Sequence, residues 1–248
     1  MKIDLHKFFQ YYDEKNPKHV AAVEQLELDL IDSPLSDDTS NWVRIFRTKI
    51  EKAKSSLFLD VPYYPQTDNY RDANRTCNSS ACAMCLEYFK PGTLKGSRGD
   101  DAYVTKVFEI GDTTDHSVQT KVLLNYGINS TFSYNLSFST IDSELSAGRP
   151  VIIGILHRGS LSNPTGGHMI VVIGKTEDGT SYVVNDPYGS LNDGYTGEVS
   201  NGKSARYSKE VLKYRWLEGG KDNTGWGRTF NGGTKNKNFD VLLEKRKK

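Results

Sequence analysis

One stretch of the sequence, residues 60–89, constrains the fold more than any other. It reads D-V-P-Y-Y-P-Q-T-D-N-Y-R-D-A-N-R-T-C-N-S-S-A-C-A-M-C-L-E-Y-F, a polar irregular loop followed by a helix that begins at Cys77. The apolar positions Cys82, Cys85, Leu86 and Phe89 recur with a period near 3.6 residues, and a Pro-Gly pair ends the run. The pattern predicts a core helix whose first residue, Cys77, lies outside its apolar face.

A cysteine at a helix start is favoured as a thiolate, because unpaired N–H groups and the helix dipole stabilise a nearby anion. A thiolate can attack an amide carbonyl when a histidine lies close enough to pair with it. We therefore predict that Cys77 is a nucleophile and that Cys82 and Cys85 are buried core thiols. These two also form a C-x-x-C pair, but no second Cys or His pair accompanies them, so we predict no metal site and no cofactor.

Composition excludes several classes of protein. The 248 residues carry a formal net charge of +1, which argues against a dedicated nucleic-acid binder, and three cysteines make no disulfide framework. No stretch resembles a transmembrane span, and the start M-K-I-D-L-H-K lacks the apolar run of a signal peptide. The expectation is a monomer made in a cytoplasm.

The chain divides by pattern into three parts. Residues 1–55 show helical periodicity and predict a helical N-terminal extension, residues 56–232 form the main domain, and residues 233–248 are a basic tail ending K-R-K-K. In the main domain, further helices are predicted near residues 102–108, 117–126 and 142–147, and strands at 150–157, 168–176 and 181–185. A helical turn at 208–213 and a strand at 214–217 follow. Helices first and strands second predict an α+β fold, with an antiparallel sheet packed against the Cys77 helix.

Two segments of the predicted sheet carry further candidate site residues. His168 begins a strand directly after Gly166 and Gly167, which allow a substrate backbone to approach closely, so His168 is the predicted base. Asp186 follows the next strand, where a carboxylate can orient the imidazole. Successive side chains of a strand alternate between faces, so the length of the connecting loop decides whether His168 and Asp186 share a face. A three-residue loop at 177–179, which pairs Thr176 with Thr180, places them on one face, and a two-residue turn places them on opposite faces.

Cleavage of an amide also needs hydrogen-bond donors for the developing oxyanion. The backbone N–H of Cys77 is one, and the side-chain amide of Gln66, in the loop ahead of the helix, is the predicted second. The nearby residues Asp68, Asn69 and Asn74 remain alternatives.

Three motifs carry a resemblance to a known family: D-V-P-Y-Y-P-Q with the Cys77 helix, G-G-H-M-I-V-V-I-G, and V-V-N-D-P-Y-G. Together they resemble the papain-like cysteine peptidases related to the bacteriocin-processing, double-glycine leader peptidases. The resemblance covers residues 57–218 and is strongest to stand-alone phage-encoded members. It implies a papain-like fold with Cys77, His168, Asp186 and Gln66 as catalytic residues. Gly166, Gly167 and Asn78, which stands where the family usually has Gly, are the predicted substrate-binding residues.

The resemblance implies a thiol-dependent amide or peptide hydrolase, with peptidoglycan as the expected substrate. A phage endolysin of this kind acts on the cell wall after the membrane has been opened. Two alternatives remain: a cysteine peptidase that processes a protein precursor, and a catalytically silent papain-like module that binds a peptide or wall fragment.

Overall fold

The computed structural model describes residues 58–176 and 178–231. Within them the helices are α1 (Cys77–Phe89), α2 (Asp100–Ile110), α3 (His116–Asn125), α4 (Phe138–Ser146) and α5 (Lys209–Trp216). The strands are β1 (Asn129–Leu136), β2 (Val151–Ile155), β3 (Arg158–Ser160), β4 (Asn163–Thr165), β5 (His168–Lys175), β6 (Ser181–Asn185), β7 (Ala205–Ser208) and β8 (Gly225–Asn231). The predicted extension at 1–55 and the predicted tail at 233–248 lie outside the described residues.

The centre of the fold is a six-stranded antiparallel sheet in the order β1-β8-β2-β5-β6-β7, while β3 and β4 form a separate hairpin. Every residue of β2 is buried, and so is all of β5 except its last residue. Since successive side chains point to opposite faces, both faces of these strands are covered. Helix α1 packs on β5, α4 on β2 and β5, and α5 on β2. The predicted α+β fold is confirmed.

Helix α1 is more deeply buried than its apolar pattern indicates. The predicted core thiols Cys82 and Cys85 are fully buried, but so are polar residues in the first turn of the helix. Two of these have partners on other elements: the hydroxyl of Ser79 lies 2.6 Å from that of Thr113, and Ser80 donates to Asp100 at 2.6 Å. The helix therefore runs through the core, and its polar positions are satisfied by neighbouring elements instead of water.

Most predicted elements are present with shifted ends. The helices predicted near 102–108, 117–126 and 142–147 are α2, α3 and α4, and the strands predicted at 150–157, 168–176 and 181–185 are β2, β5 and β6. The strand predicted at 214–217 is wrong: residues 214–216 belong to α5, where Leu212 and Trp216 lie one turn apart and are both buried. The sequence pattern does not indicate β1, β3, β4, β7 or β8.

The connection between β5 and β6 is one residue longer than expected. Thr176 donates its backbone N–H to the carbonyl of Ser181 at 2.9 Å instead of pairing with Thr180, although Gly179 takes the expected left-handed conformation with φ 68°. The expected three-residue loop is therefore wrong. Continued along both strands, the register at this end would place the predicted base and its predicted acid on opposite faces.

A β-bulge in β5 corrects that register. The pairs on its two sides differ by one residue: Gly174 opposite Val183, and Val172 opposite Val184. Ile173 is thus an extra residue in β5. It shifts the side chains of residues 168–172 to the other face of the sheet relative to β6, which brings His168 and Asp186 to the same face. The chain before α1 also joins the sheet here, because Leu59 donates its backbone N–H to the Ile173 carbonyl at 2.7 Å.

Candidate active site

Cys77 is the first residue of α1, at the junction of the polar loop and the helix. Its side chain is partly exposed, whereas the other two cysteines of the helix are buried. Burial by itself raises the pKa of the Cys77 thiol, but the hydrogen bond and charge of His168, with the backbone N–H groups of Met169 and Asn78, bring the pKa below its ordinary value. Cys77 is therefore an activated thiol that a substrate can reach.

His168 begins β5 and is 4% exposed. Its Nε2 lies 2.6 Å from Oδ1 of Asp186, which leaves the other ring nitrogen for the hydrogen bond with the Cys77 thiol. Burial lowers the pKa of the imidazole, but the Asp186 carboxylate and Cys77 more than offset this and raise the pKa to about 10. The opposite shifts of the cysteine and histidine pKa values favour a thiolate–imidazolium pair at neutral pH.

The carboxylate of Asp186 is fully buried and accepts four hydrogen bonds. Oδ1 accepts from the ring of His168 and from the backbone N–H of Tyr188 at 3.0 Å. Oδ2 accepts from the hydroxyls of Tyr207 at 2.6 Å and Tyr195 at 3.1 Å. A buried charge is tolerated only when it is paired and hydrogen-bonded, and these partners meet that condition. The arrangement fits the predicted role of Asp186 as the group that orients His168.

A cavity of about 200 Å³ opens onto the thiol. Five of the predicted site residues line it: Gln66, Cys77, Gly166, Gly167 and His168. The other lining residues are Asn74, His157, Arg158 and Tyr188. Gly166 has a φ of 77°, a left-handed conformation that favours glycine, so this wall of the cavity depends on a residue without a side chain.

Gln66 remains at the site although a long polar spacer separates it from Cys77. Its backbone N–H donates to the carbonyl of Pro187 at 2.8 Å, beside Asp186, and its side-chain Nε2 donates to the carbonyl of Ala73 at 2.7 Å. The second bond folds the spacer back on itself. An amide nitrogen carries two hydrogens, so the bond to Ala73 uses only one of those of Gln66.

The alternatives to Gln66 differ in position. Asn74 lines the cavity, whereas Asp68 is not among the residues that line it. Asn69 is buried, and its amide contacts the hydroxyls of Thr76 and Ser80 at 2.9 Å each, so it supports the start of α1.

Residues 58–231, which include Cys77, His168, Asp186 and Gln66, match the Peptidase_C39 like family. The chain belongs to this family. Two solved structures are similar to this member of the Peptidase_C39 like family. One, from Bacillus anthracis and described as a C39-like peptidase, has 13% identity and a TM-score of 0.47 over 71% of this chain and 97% of that one. The other is a double glycine motif protease from an AMS/PCAT transporter in complex with the leader peptide. It has 17% identity and a TM-score of 0.43, and the match covers 70% of this chain and 92% of that one. No curated protein sequence matches the chain.

Membership of the Peptidase_C39 like family indicates peptidase activity, which agrees with the predicted cysteine peptidase chemistry. Within the described residues, no group of three or more His, Cys, Asp or Glu side chains is arranged to hold a metal ion. In the same part of the chain, none of the helices has the length and apolar character needed to cross a membrane.

The side chain of Asn78 does not reach the cavity of this Peptidase_C39 like domain. It is 2% exposed, and its Nδ2 lies 3.2 Å from Nδ1 of His116, whose ring stacks on Phe132 with 3.5 Å between ring centres. The predicted substrate-binding role is therefore not supported for this side chain. Its position next to Cys77 matters instead through the backbone, whose N–H lowers the pKa of the Cys77 thiol.

The sequence-based prediction misses several residues of the site, among them His157, Tyr195 and Tyr207. His157 follows β2, and its ring centre lies 5.2 Å from that of His168. Burial, followed by the charges of His168 and Arg158, lowers the pKa of His157 to about 4, so this second histidine is neutral at neutral pH. Its signal in the sequence is its place at the end of a strand predicted to lie in the same sheet as His168. Tyr195 and Tyr207 lie outside the motifs of the sequence, so no signal indicates them.

Proposed function

We propose that the protein is a cysteine hydrolase that cleaves peptide or amide bonds of peptidoglycan, and that it serves as a phage endolysin. The observation that carries the catalytic part is the hydrogen-bonded chain from the partly exposed Cys77 thiol through His168 to the buried Asp186, at the wall of a cavity. Such an arrangement activates a thiol for attack on an acyl carbon.

The proposed reaction proceeds through an acyl-enzyme. The Cys77 thiolate attacks the carbonyl carbon, and the backbone N–H of Cys77 with the free N–H of Gln66 stabilises the oxyanion. Imidazolium His168 gives its proton to the leaving amine as the C–N bond breaks, leaving a thioester. His168 then removes a proton from water, which attacks the thioester carbon and releases the acid and the Cys77 thiol.

The shape of the site supports a substrate with small residues at the scissile bond. The cavity is small, and the two glycines Gly166 and Gly167 form part of its wall, so a substrate backbone can lie close to it. Stem peptides and cross-bridges of peptidoglycan are rich in small residues. The choice of peptidoglycan as the substrate, and not a protein, also rests on the resemblance of the three motifs to stand-alone phage-encoded peptidases.

Digestion of purified peptidoglycan tests the proposal. We expect the wild-type protein to lower turbidity and release free amino groups without reducing sugar ends, because a thiolate attacks acyl carbons and not glycosidic bonds. Mass spectrometry of the fragments identifies the bond. The Cys77→Ala variant and iodoacetamide-treated protein are the controls, and both should be inactive.

The other outcomes separate the alternatives. Reducing ends without new amines, or full activity of Cys77→Ala, would overturn the thiol chemistry. Cleavage confined to protein substrates would keep the chemistry and identify a precursor-processing peptidase. Binding to peptidoglycan that alkylation leaves intact, with no cleavage of any substrate, would identify a silent binding module.

A further inference from the structure

The oxygen of Asp186 that faces away from His168 is held by two tyrosine hydroxyls. Tyr207, on β7, donates to Oδ2 at 2.6 Å, and Tyr195, in the segment between β6 and β7, donates to the same oxygen at 3.1 Å. Neither tyrosine is among the residues that line the cavity. They contact the third member of the catalytic chain from outside the cavity.

The direction of the Tyr207 proton follows from its neighbours. The backbone N–H of Leu191 donates to the Tyr207 hydroxyl oxygen at 2.8 Å, so the hydroxyl proton is left to point at Asp186. Burial, and then the negative charge of Asp186, raise the pKa of both tyrosines well above the ordinary value. The hydroxyls therefore stay protonated and remain donors.

Tyr195 takes a backbone conformation that is uncommon for a residue with a side chain. Its φ is 61°, in the left-handed region where a residue with a bulky side chain loses free energy. The backbone N–H donates to the carbonyl of Ser190 at 2.9 Å and to Oδ1 of Asp193 at 3.0 Å, which hold this conformation. A strained residue whose side chain reaches a catalytic group is a sign of function more than of packing.

We propose that Tyr207 and Tyr195 are positioning residues that hold the buried Asp186 carboxylate directed at His168. The proposal rests on the proposed function, because it takes Cys77, His168 and Asp186 as the catalytic chain. The titratable or charged groups that face Asp186 or its tyrosines are His168, His157, Tyr63, Tyr195, Tyr207 and Arg215. Among them, Tyr63 donates to the backbone carbonyl of Asp186 and not to its carboxylate.

Removal of the hydroxyls has a definite expected direction. Without them, Oδ2 becomes a buried oxygen without a donor, and the carboxylate turns away from His168 to recover one. A carboxylate that is less well directed at His168 stabilises its imidazolium less. Since that imidazolium keeps Cys77 in the thiolate form, the pKa of the Cys77 thiol should rise.

The rate of alkylation by iodoacetamide, measured against pH, reports this pKa and needs no substrate. Cys82 and Cys85 are fully buried, so the folded protein should take up one adduct, on Cys77. For Tyr207→Phe we expect the midpoint of the alkylation profile to move up by about one pH unit, which is a roughly tenfold lower rate on the acid side. Tyr195→Phe should move it less, since its bond is longer, and the double variant should move it more.

Tyr182→Phe is the matched control. Tyr182 is a fully buried tyrosine whose hydroxyl also donates to a carboxylate, Oδ1 of Asp142, at 3.1 Å, but away from the cavity. Its removal should lower the melting temperature and leave the alkylation midpoint unchanged. A purely structural role for Tyr207 would produce that same result in Tyr207→Phe.

Three results would overturn the proposal: an unchanged midpoint in Tyr207→Phe and in the double variant, a midpoint that falls, or an equal shift in the Tyr182→Phe control. If Tyr207→Phe does not fold, the smaller upward shift in Tyr195→Phe is still required, and its absence overturns the proposal. Failure to cleave peptidoglycan contradicts the proposed function but leaves this readout intact. Cleavage with unchanged alkylation profiles contradicts only the role of the tyrosines.

Discussion

Replacing Asp186 with asparagine removes the charge of the carboxylate with little change in size, and the surroundings determine how the new amide faces. On the Oδ1 side one donor is the backbone N–H of Tyr188, which cannot become an acceptor. On the Oδ2 side both donors are hydroxyls, those of Tyr195 and Tyr207, which can rotate and accept. We therefore expect the amide oxygen to stay toward His168 and the NH₂ group to face the tyrosines.

That orientation sets the size of the effect. His168 keeps its acceptor and its tautomer, so only the charge of the partner is lost. A hydrogen bond to a charged group contributes about 1.5–3 kcal/mol and a neutral one about 0.5–1.5 kcal/mol. The difference of about 1–2 kcal/mol corresponds to a loss of roughly 5- to 30-fold in kcat/KM. Asp186→Ala should lose more, because it leaves His168 and both hydroxyls without an acceptor.

The assay compares release of amino groups from peptidoglycan by the wild type, Asp186→Asn, Asp186→Ala and His168→Ala at one pH, with a melting temperature for each. Asp142→Asn is the matched control, because Asp142 also accepts from a buried tyrosine but lies outside the site. An Asp186→Asn variant that melts like the wild type and is as inactive as His168→Ala would show that the amide has turned its NH₂ group to the ring, and would refute the reasoning. Wild-type activity would show that the charge contributes nothing.

Three further predictions concern the cysteines, the pH profile and the N-terminal residues. Cys77→Ala should abolish turnover with little change in stability. Cys82→Ala should keep turnover but leave a core cavity that lowers the free energy of unfolding, measured by denaturant titration, by about 1 kcal/mol or more. A stable but inactive Cys82→Ala variant would contradict the choice of Cys77 as nucleophile. The pH profile of kcat/KM should rise as pH passes the pKa of Cys77, which lies below the ordinary value of a thiol, and should fall as pH passes the pKa of His168 at about 10. A profile that rises only near the ordinary pKa of a thiol would contradict the thiolate–imidazolium pair. Deletion of residues 1–55, whose apolar stripes need burial, should lower solubility or melting temperature; an unchanged melting temperature with weaker wall binding would identify a targeting module instead.

The sequence by itself determined the parts of the site that depend on local pattern. The 3.6-residue period and the Pro-Gly stop place the start and end of α1, and hence Cys77 at a helix N-terminus. The run of β-branched residues after two glycines places His168 at the start of β5, and the same type of pattern gives the bounds of β6. These features are short-range, so local propensity and periodicity carry them.

Only the tertiary structure decided how these parts meet. The parity of β5 depends on one extra residue, Ile173, whose bulge is supported by a strand-like contact from Leu59, more than a hundred residues away in the chain. The four donors around Asp186 come from β5, from the segment between β6 and β7, and from β7, and no motif marks Tyr195 or Tyr207. The side chain of Asn78, next to Cys77 in sequence, contacts His116 on α3. Burial favours a hydrogen-bond partner for a polar group, and which partner is near depends on the packing of distant segments, which no local pattern records.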